Sequence, residues 1–543
     1  MEIFFILPVT ELLIIVYCFG AGLFLKNLIF VQDNKFRNYS EICIYGFLLT
    51  LIIAQIINFI TPIKEIYFWF LLLISILNIY KNRFLIFNFY NWLFKLFLIF
   101  LILTPLKFVI KGHDDIFYHL PKLNFLNSQK IIFGIGNYYE SFAFTNGWSH
   151  VSGFFNFFNG SEKNIYLVSY IFLILTINTL YNYYKKTDDY NVKFFCLASI
   201  IFLCLKFYRL QEFGNDFQSI LLIFLVFNLY YDYLKKKYHD DILIKKILLY
   251  STFATLFKIH GVLINLLLII FILEINIFLK KNYFKIYAFI LISYLCTFLT
   301  SFINSGCILY PFESTCFDSN KISWSSKEKI NNTYLEAYNK SYENRYSGDN
   351  TLEKMSAEQW VDNFNWATFH FTSKNFYKPF LKSIIILFFI FFILLKFSNF
   401  KIQKPKKKNL VFLFISFIIL IIWSIKIPLL RASGYGYLVG FLIFLFCSLI
   451  NINHFNNLKK LNIILLLITI VPILFLNINR IYNEKKKYNT DNTYFFLETY
   501  GLNGKKSMFR AYNSILQLDP DDNKHFRVKK KLNYFILESF KSF

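Results

Sequence analysis

The sequence predicts an all-α, polytopic membrane protein. Three observations predict it. Of the 543 residues, 56% are hydrophobic and 21% aromatic; the mean hydropathy is +0.45; and the lysines fall in short clusters between apolar runs. Composition alone excludes an ordinary soluble domain. The formal charge of +25 would point to nucleic acid in a soluble protein, but lysines clustered between spans are the positive-inside signature, so no nucleic-acid partner is expected. The 71 Phe residues match what AT-rich codons specify, and no single Phe is given a role.

Stretches of roughly 17 to 25 apolar residues can cross about 30 Å of hydrocarbon. On that basis spans are expected near 3–25, 41–61, 65–80, 93–110, 163–182, 192–207, 217–234, 244–257, 261–279, 286–303, 380–396, 409–425, 434–451 and 461–478. That makes about fourteen, within a range of about eleven to fourteen. The count depends on a hairpin at Lys258–His260. With it, the lysine-bearing connections 26–37, 81–95, 185–193, 235–246, 280–285, 396–408 and 459–460 all face one compartment, the cytoplasm by the charge rule. No internal repeat is visible, nor the matched broken helices of an inverted-repeat transporter. The first apolar run starts MEIFF, with no basic n-region, so no cleavable signal is expected.

The chain divides accordingly into N-terminal helices (1–92), a core (93–303) with a first outer loop at 111–162, an extracytoplasmic loop subdomain (304–378) expected to be mostly helical, C-terminal helices (379–478) and an outer tail (479–543) expected to be a small helical extension. In the first outer loop, FYHLPKLNFL and WSHVSGFFNFF read as surface helices. Cys18, Cys43, Cys196, Cys204, Cys296 and Cys447 lie in or near apolar segments, whereas Cys307 and Cys316 share a polar loop. In an oxidising compartment the latter two are expected to form a disulfide.

The chemistry-bearing residues collect on the outer side. KGHDDIFYHLP at 111–121 sets Asp114 and Asp115 at the end of an apolar run. They read either as a stop signal in the headgroups or as a general base at a cavity mouth, since an unused carboxylate there is costly. His119 follows Asp115 by four residues, leaving open a carboxylate–histidine pair or part of a divalent metal site. No cofactor is fixed, and neither is the identity of any metal. Lys258 and His260 sit in the expected hairpin, reading as a snorkelling pair or as partners for a phosphate. Arg431 in PLLRASGYGYLVG anchors a helix or meets an anion. Arg209 and Asp216 in FYRLQEFGNDF form either a local ion pair with Glu212 or part of a site. The aromatics of 304–378, Tyr310, Trp324, Trp360 and Trp366 among them, suit either packing or sugar rings.

An acid at the outer end of an early span, followed by a long outer loop, resembles the GT-C superfamily of membrane glycosyltransferases, in particular the protein mannosyltransferase and aminoarabinose transferase branch. The resemblance also rests on GNDFQSILLIF, ATLFKIHGVLIN, PLLRASGYGYLVG and NSGCILYPFESTCF, and covers about 93–450. It departs in supplying extra spans before the acidic loop. The resemblance implies a GT-C-like enzyme of the bacterial inner membrane, using a polyprenyl-phosphate sugar donor and a glycan, lipid or protein acceptor. Asp114 or Asp115 would be the catalytic base, Lys258 and Arg431 would meet the donor phosphate, and Asp216 would match the family's second acidic loop. The alternatives are a Wzy-type polymerase or ligase, against which the acidic pair argues, and a lipid-linked sugar flippase or transporter, which would need charged residues within spans.

Overall fold

The computed structural model describes residues 2–30, 38–82, 86–102, 119–157 without 139 and 145, 163–206, 216–236, 240–275, 281–330, 332–340 in part, 356–456, scattered positions between 460 and 483, 526–531 and 534–539. The first eight helices are α1 (Glu2–Ile29), α2 (Tyr39–Ile60), α3 (Glu65–Lys81), α4 (Ile86–Ile102), α5 (Leu120–Ser128), α6 (Glu140–Ala143), α7 (Gly147–Phe154) and α8 (Lys163–Lys186). Then come α9 (Tyr190–Lys206), α10 (Asp216–Lys235), α11 (Asp241–Phe257), α12 (Leu268–Ile275) and α13 (Phe284–Ser305). After these come α14 (Ala357–Val361), α15 (Asn365–Thr372), α16 (Lys374–Lys396), α17 (Lys407–Lys426) and α18 (Tyr435–Leu449).

Among the described residues, six helices are long and apolar enough to cross a membrane: Leu7–Ile29, Tyr39–Ile60, Asp216–Lys235, Phe284–Ser305, Phe376–Lys396 and Lys407–Lys426. Asn88–Leu101, Ile259–Phe271 and Tyr435–Leu449 are apolar but shorter. The span expected at 461–478 lies largely outside the described residues. One continuous apolar core runs from Ile14 to Phe455, so the N-terminal helices pack within the same body as the rest.

Helices α1 and α2 approach backbone to backbone. A Cβ on Gly22 would stand 1.7 Å from the Ile42 carbonyl oxygen, and one on Gly46 would stand 2.0 Å from that of Cys18. Small residues at a helix crossing are what membrane helices use in place of a hydrophobic driving force. At the far end of α2, the Asn58 carbonyl accepts from the Ile131 N–H at 3.0 Å, which ties the segment after α5 to the bundle.

The chain reverses after α11. Lys258 is extended (φ −152°, ψ 126°) and a 3₁₀ stretch, Ile259–Leu267, follows. Asn265 Nδ2 then donates to Thr255 Oγ1 at 2.8 Å, whereas ten residues of uninterrupted helix would separate them by about 15 Å. The fold-back is tight at Gly261, where a Cβ would lie 2.3 Å from the Ala254 oxygen.

Three expectations are corrected. Helix α7 is buried along its whole length rather than lying on the surface. Its Trp148 packs edge-on to Phe257 at 5.1 Å, and at Gly147 a Cβ would stand 2.6 Å from the Leu256 oxygen; glycine and serine let the helix sink between its neighbours. Within the 304–378 subdomain the described residues from Ala357 to Thr372 are helical as expected, but 306–330 is turns and short 3₁₀ segments, because Gly306, Pro311 and the Asp, Ser and Asn of DSNKISWSS break helical propensity. Cys307 and Cys316 are bonded there, at 2.08 Å.

In the C-terminal tail, Phe526–Lys531 (β3) and Tyr534–Ser539 (β4) pair as antiparallel strands, not as a helix, with Arg527 opposite Glu538. The β-branched and aromatic residues of FRVKKK and YFILES favour a pleated strand. A further antiparallel ribbon joins Ser398–Ile402 (β1) to Ile450–Phe455 (β2).

Candidate functional site

Helices α10 and α11 bring two expected residues together. Asp216 opens α10 and Lys258 follows the end of α11; Lys258 Nζ lies 2.8 Å from Asp216 Oδ1, each side chain about a quarter exposed (25% and 27%). Below the pair, Ser219 Oγ donates to the Ala254 carbonyl at 2.8 Å. That bond fixes α10 against α11 one turn beneath the charged end.

Arg431 arrives on an irregular turn. Residues Leu430–Gly434 form a single π-helical turn ahead of α18, a geometry common at functional sites. Ser433 adopts a left-handed φ of 65°, which costs a serine about 1–3 kcal/mol and persists only where its surroundings hold it. Here they do: Ser433 Oγ sits 3.3 Å from Ser219 Oγ, and the Trp423 indole donates to the Leu429 carbonyl at 3.3 Å. His370, on α15, sets its ring nitrogens 2.9 Å from the Pro428 carbonyl oxygen and 3.0 Å from that of Lys340. Tyr437, on α18, donates to the His260 carbonyl at 2.7 Å. Arg431 and His260 both lie within electrostatic range of Asp216.

The segment 119–157 supplies the other side. His119 is buried at the start of α5 and feels Lys258, Asp216, Lys122 and Arg431. Burial first, and then the cation of Lys258, hold its imidazole well below the usual range, which keeps it neutral. One turn on, Lys122 is also buried, its Nζ donating to the Phe144 carbonyl at 2.7 Å and the Phe142 carbonyl at 3.4 Å. Burial, reinforced by Lys258, brings this amine down to about 7. Burial and the nearby Lys122 bring His150, on α7, down to about 3.

The structure therefore brings His119, Asp216, Lys258, His260 and Arg431 to one end of the bundle. Asp114, Asp115 and Arg209 lie outside the described residues. Among the described residues, no group of three His, Cys, Asp or Glu side chains is arranged to hold a metal ion. Of the aromatics considered for sugar rings, Tyr310, Trp360 and Trp366 are buried in packing, while Trp324 is partly exposed against Phe133 at 4.9 Å. Such an assembly, richer in cations than in carboxylates among its described members, suits an anionic group such as a phosphate.

Sequence reasoning missed two features. Lys122, three residues after His119 and so on the same helical face, carried a signal that was available. At the opposite end of α11, Glu41 is wholly buried and pairs with Lys246 at 3.0 Å. Its other oxygen accepts from Tyr45 at 3.1 Å, Tyr183 at 2.5 Å and Tyr250 at 3.0 Å. No local pattern joins residues 205 positions apart.

Among protein families, one described as a domain of unknown function (DUF8201) matches residues 3–439. No curated protein and no solved structure matches the chain.

Proposed function

This chain belongs to the DUF8201 family, and from the charged end of its helix bundle we propose that it is an integral membrane glycosyltransferase. In this reading it has a GT-C-type fold of about fourteen spans and sits in a bacterial inner membrane. It moves a sugar from a polyprenyl-phosphate donor to a glycan, lipid or protein acceptor of the cell envelope at the outer face. One observation carries the proposal: Lys258 and Arg431, distant in sequence, act on the same carboxylate, Asp216, and the same imidazole, His119.

The acceptor hydroxyl attacks the anomeric carbon, the bond from that carbon to the phosphate oxygen breaks, and the hydroxyl proton passes to Asp114 or Asp115. Lys258 and Arg431 offset the charge that develops on the leaving phosphate, where preorganised charge acts most strongly. Asp216 holds Lys258 in position between turnovers. The test replaces Asp114 and Asp115 singly with Asn, and Arg431 with Gln, at matched membrane levels. Loss of the polyprenyl-dependent glycan product supports the enzyme. Undiminished product in all three variants sinks it.

A second reading draws on a different observation. The buried Glu41–Lys246 pair is the kind of ionisable group within a helix bundle that a carrier of lipid-linked sugar requires. Vesicles loaded with labelled lipid-linked sugar separate the two: a carrier moves the label across with its glycosidic bond intact, whereas the transferase cleaves that bond.

A further inference from the structure

We propose that the β1–β2 ribbon is a docking surface for anionic glycerophospholipid headgroups. This rests on the helices that flank it and not on the glycosyl-transfer reading. The ribbon sits where two candidate membrane spans end: Phe376–Lys396 leads into it and Lys407–Lys426 leaves it, which sets it at the level of lipid headgroups.

Its composition is one-sided. Lys396, Lys401, Lys404, Lys406 and Lys407 are exposed, and neither 396–408 nor 450–456 contains an acidic residue. The nearby carboxylate of Asp189 caps α9 through the N–H groups of Asn191 and Val192 and pairs with Lys235 at 3.9 Å. Juxtamembrane clusters of four or more lysines attract anionic headgroups, each contributing additively.

The apolar side of the ribbon is as informative as the charge. Phe400 faces Ile452 across the ribbon and Ile402 faces Ile450, so all four share one face. The inner pair is buried, at 4% and 5%, whereas Phe400 is 40% and Ile402 86% exposed. An isoleucine that far out of the protein, beside lysines and at the end of two spans, is placed to enter the acyl boundary while the lysines meet headgroups.

The ribbon is also held rigidly. Asn191 Nδ2 donates to the Ile450 carbonyl at 2.7 Å, and its Oδ1 accepts from the Ile452 N–H at 2.7 Å. The Gln403 N–H donates to the Leu449 carbonyl at 2.8 Å. A fixed platform does not have to order its side chains' backbone on binding, a cost that weakens loose basic tails.

The test titrates dioleoylphosphatidylglycerol and dioleoylphosphatidylcholine into the detergent-solubilised full chain and counts bound lipid by native mass spectrometry. Phosphatidylglycerol is expected to bind at least about tenfold more tightly than phosphatidylcholine. Joint replacement of Lys401, Lys404, Lys406 and Lys407 by Gln should lower the phosphatidylglycerol affinity at least about tenfold and leave phosphatidylcholine binding unchanged. Ile402→Ser should weaken both lipids about threefold or more. The thermal midpoint of each variant in phosphatidylcholine nanodiscs reports whether it is folded. Wild-type phosphatidylglycerol affinity in a folded quadruple variant overturns the proposal. So does a dimer that the quadruple variant abolishes, since it assigns the face to a second copy of the chain.

Discussion

Two charged regions lie at opposite ends of α11, and they are built on opposite principles. At the Lys246 end, Glu41 is completely out of solvent and both its oxygens are occupied, by one ammonium and three phenols. At the Lys258 end, Asp216 and its lysine are each about a quarter exposed and are crowded by further cations and imidazoles. A saturated, dry cluster holds helices in register; a cluster left partly wet, with surplus positive charge, can exchange a partner. If the Lys258 end is the working site, as proposed, then burial alone does not mark such a site and incomplete charge matching is the better sign.

The contrast can be broken by removing one partner at the dry end. Lys246→Met strands a buried carboxylate and should cost about 3–5 kcal/mol, read as collapse of the thermal midpoint or loss of monodisperse protein. The paired change Glu41→Leu with Lys246→Met should recover much of that loss. A single variant of wild-type stability would end the distinction drawn here.

Smaller perturbations sharpen it. Gly261→Ala drives a Cβ toward the Ala254 oxygen and should cost about 1–3 kcal/mol through overpacking, in chemical denaturation of the detergent-solubilised protein. Tyr183→Phe removes one donor to Glu41 and should cost about 1.5–3 kcal/mol, as for a hydrogen bond to a charged group.

Lys122 supplies a pH test of the Lys258 end. Its amine lies near 7 in the folded chain against about 10.4 when unfolded, so between these values the unfolded chain binds the extra proton. Stability should therefore rise as pH increases from about 7 toward 10, and below 7 the lysine contributes no further slope. Lys122→Met should flatten that rise in a series of thermal midpoints, whereas an unchanged slope removes Lys122 as its source.

The smallest stability effect belongs to the wet pair. Asp216→Asn should change stability by no more than about 1 kcal/mol. If the proposed reaction is correct, Lys258→Met should lower product formation by about 10²-fold or more, measured as glycan formed per unit of membrane protein.

Much of the helical layout was legible because apolar run length is a local property. The reversal at Lys258 was readable too, from the sides on which the lysines fall, and Asn265 on Thr255 displays it physically. The direct pairing of Asp216 with Lys258 was not read from the sequence, since the 41 intervening positions carry no pairing signal. The Glu41 cluster was illegible for the same reason: an acid in the first turn of a helix reads as an ordinary dipole partner, and all its partners but Tyr45 come from α8 and α11. Helix α7 misled because WSHVSGFFNFF has the mixed character of a surface helix; only the backbone contacts of its small residues reveal that it is interior. The tail misled because its lysine run masked a two-residue alternation.

Helix α11 carries Lys246 and is capped at its far end by Lys258, twelve residues or about 18 Å away along a stiff rod. A rod of that length would act as a lever. A tilt of about 5° at the Glu41 fulcrum would swing the Lys258 tip by about 1.5 Å, and displacements near 1 Å at a reaction centre can cost 10²-fold in rate. Under the proposed transferase reading, lesions at the dry end would then masquerade as defects of chemistry, and screens for inactive variants should return residues that never meet a substrate.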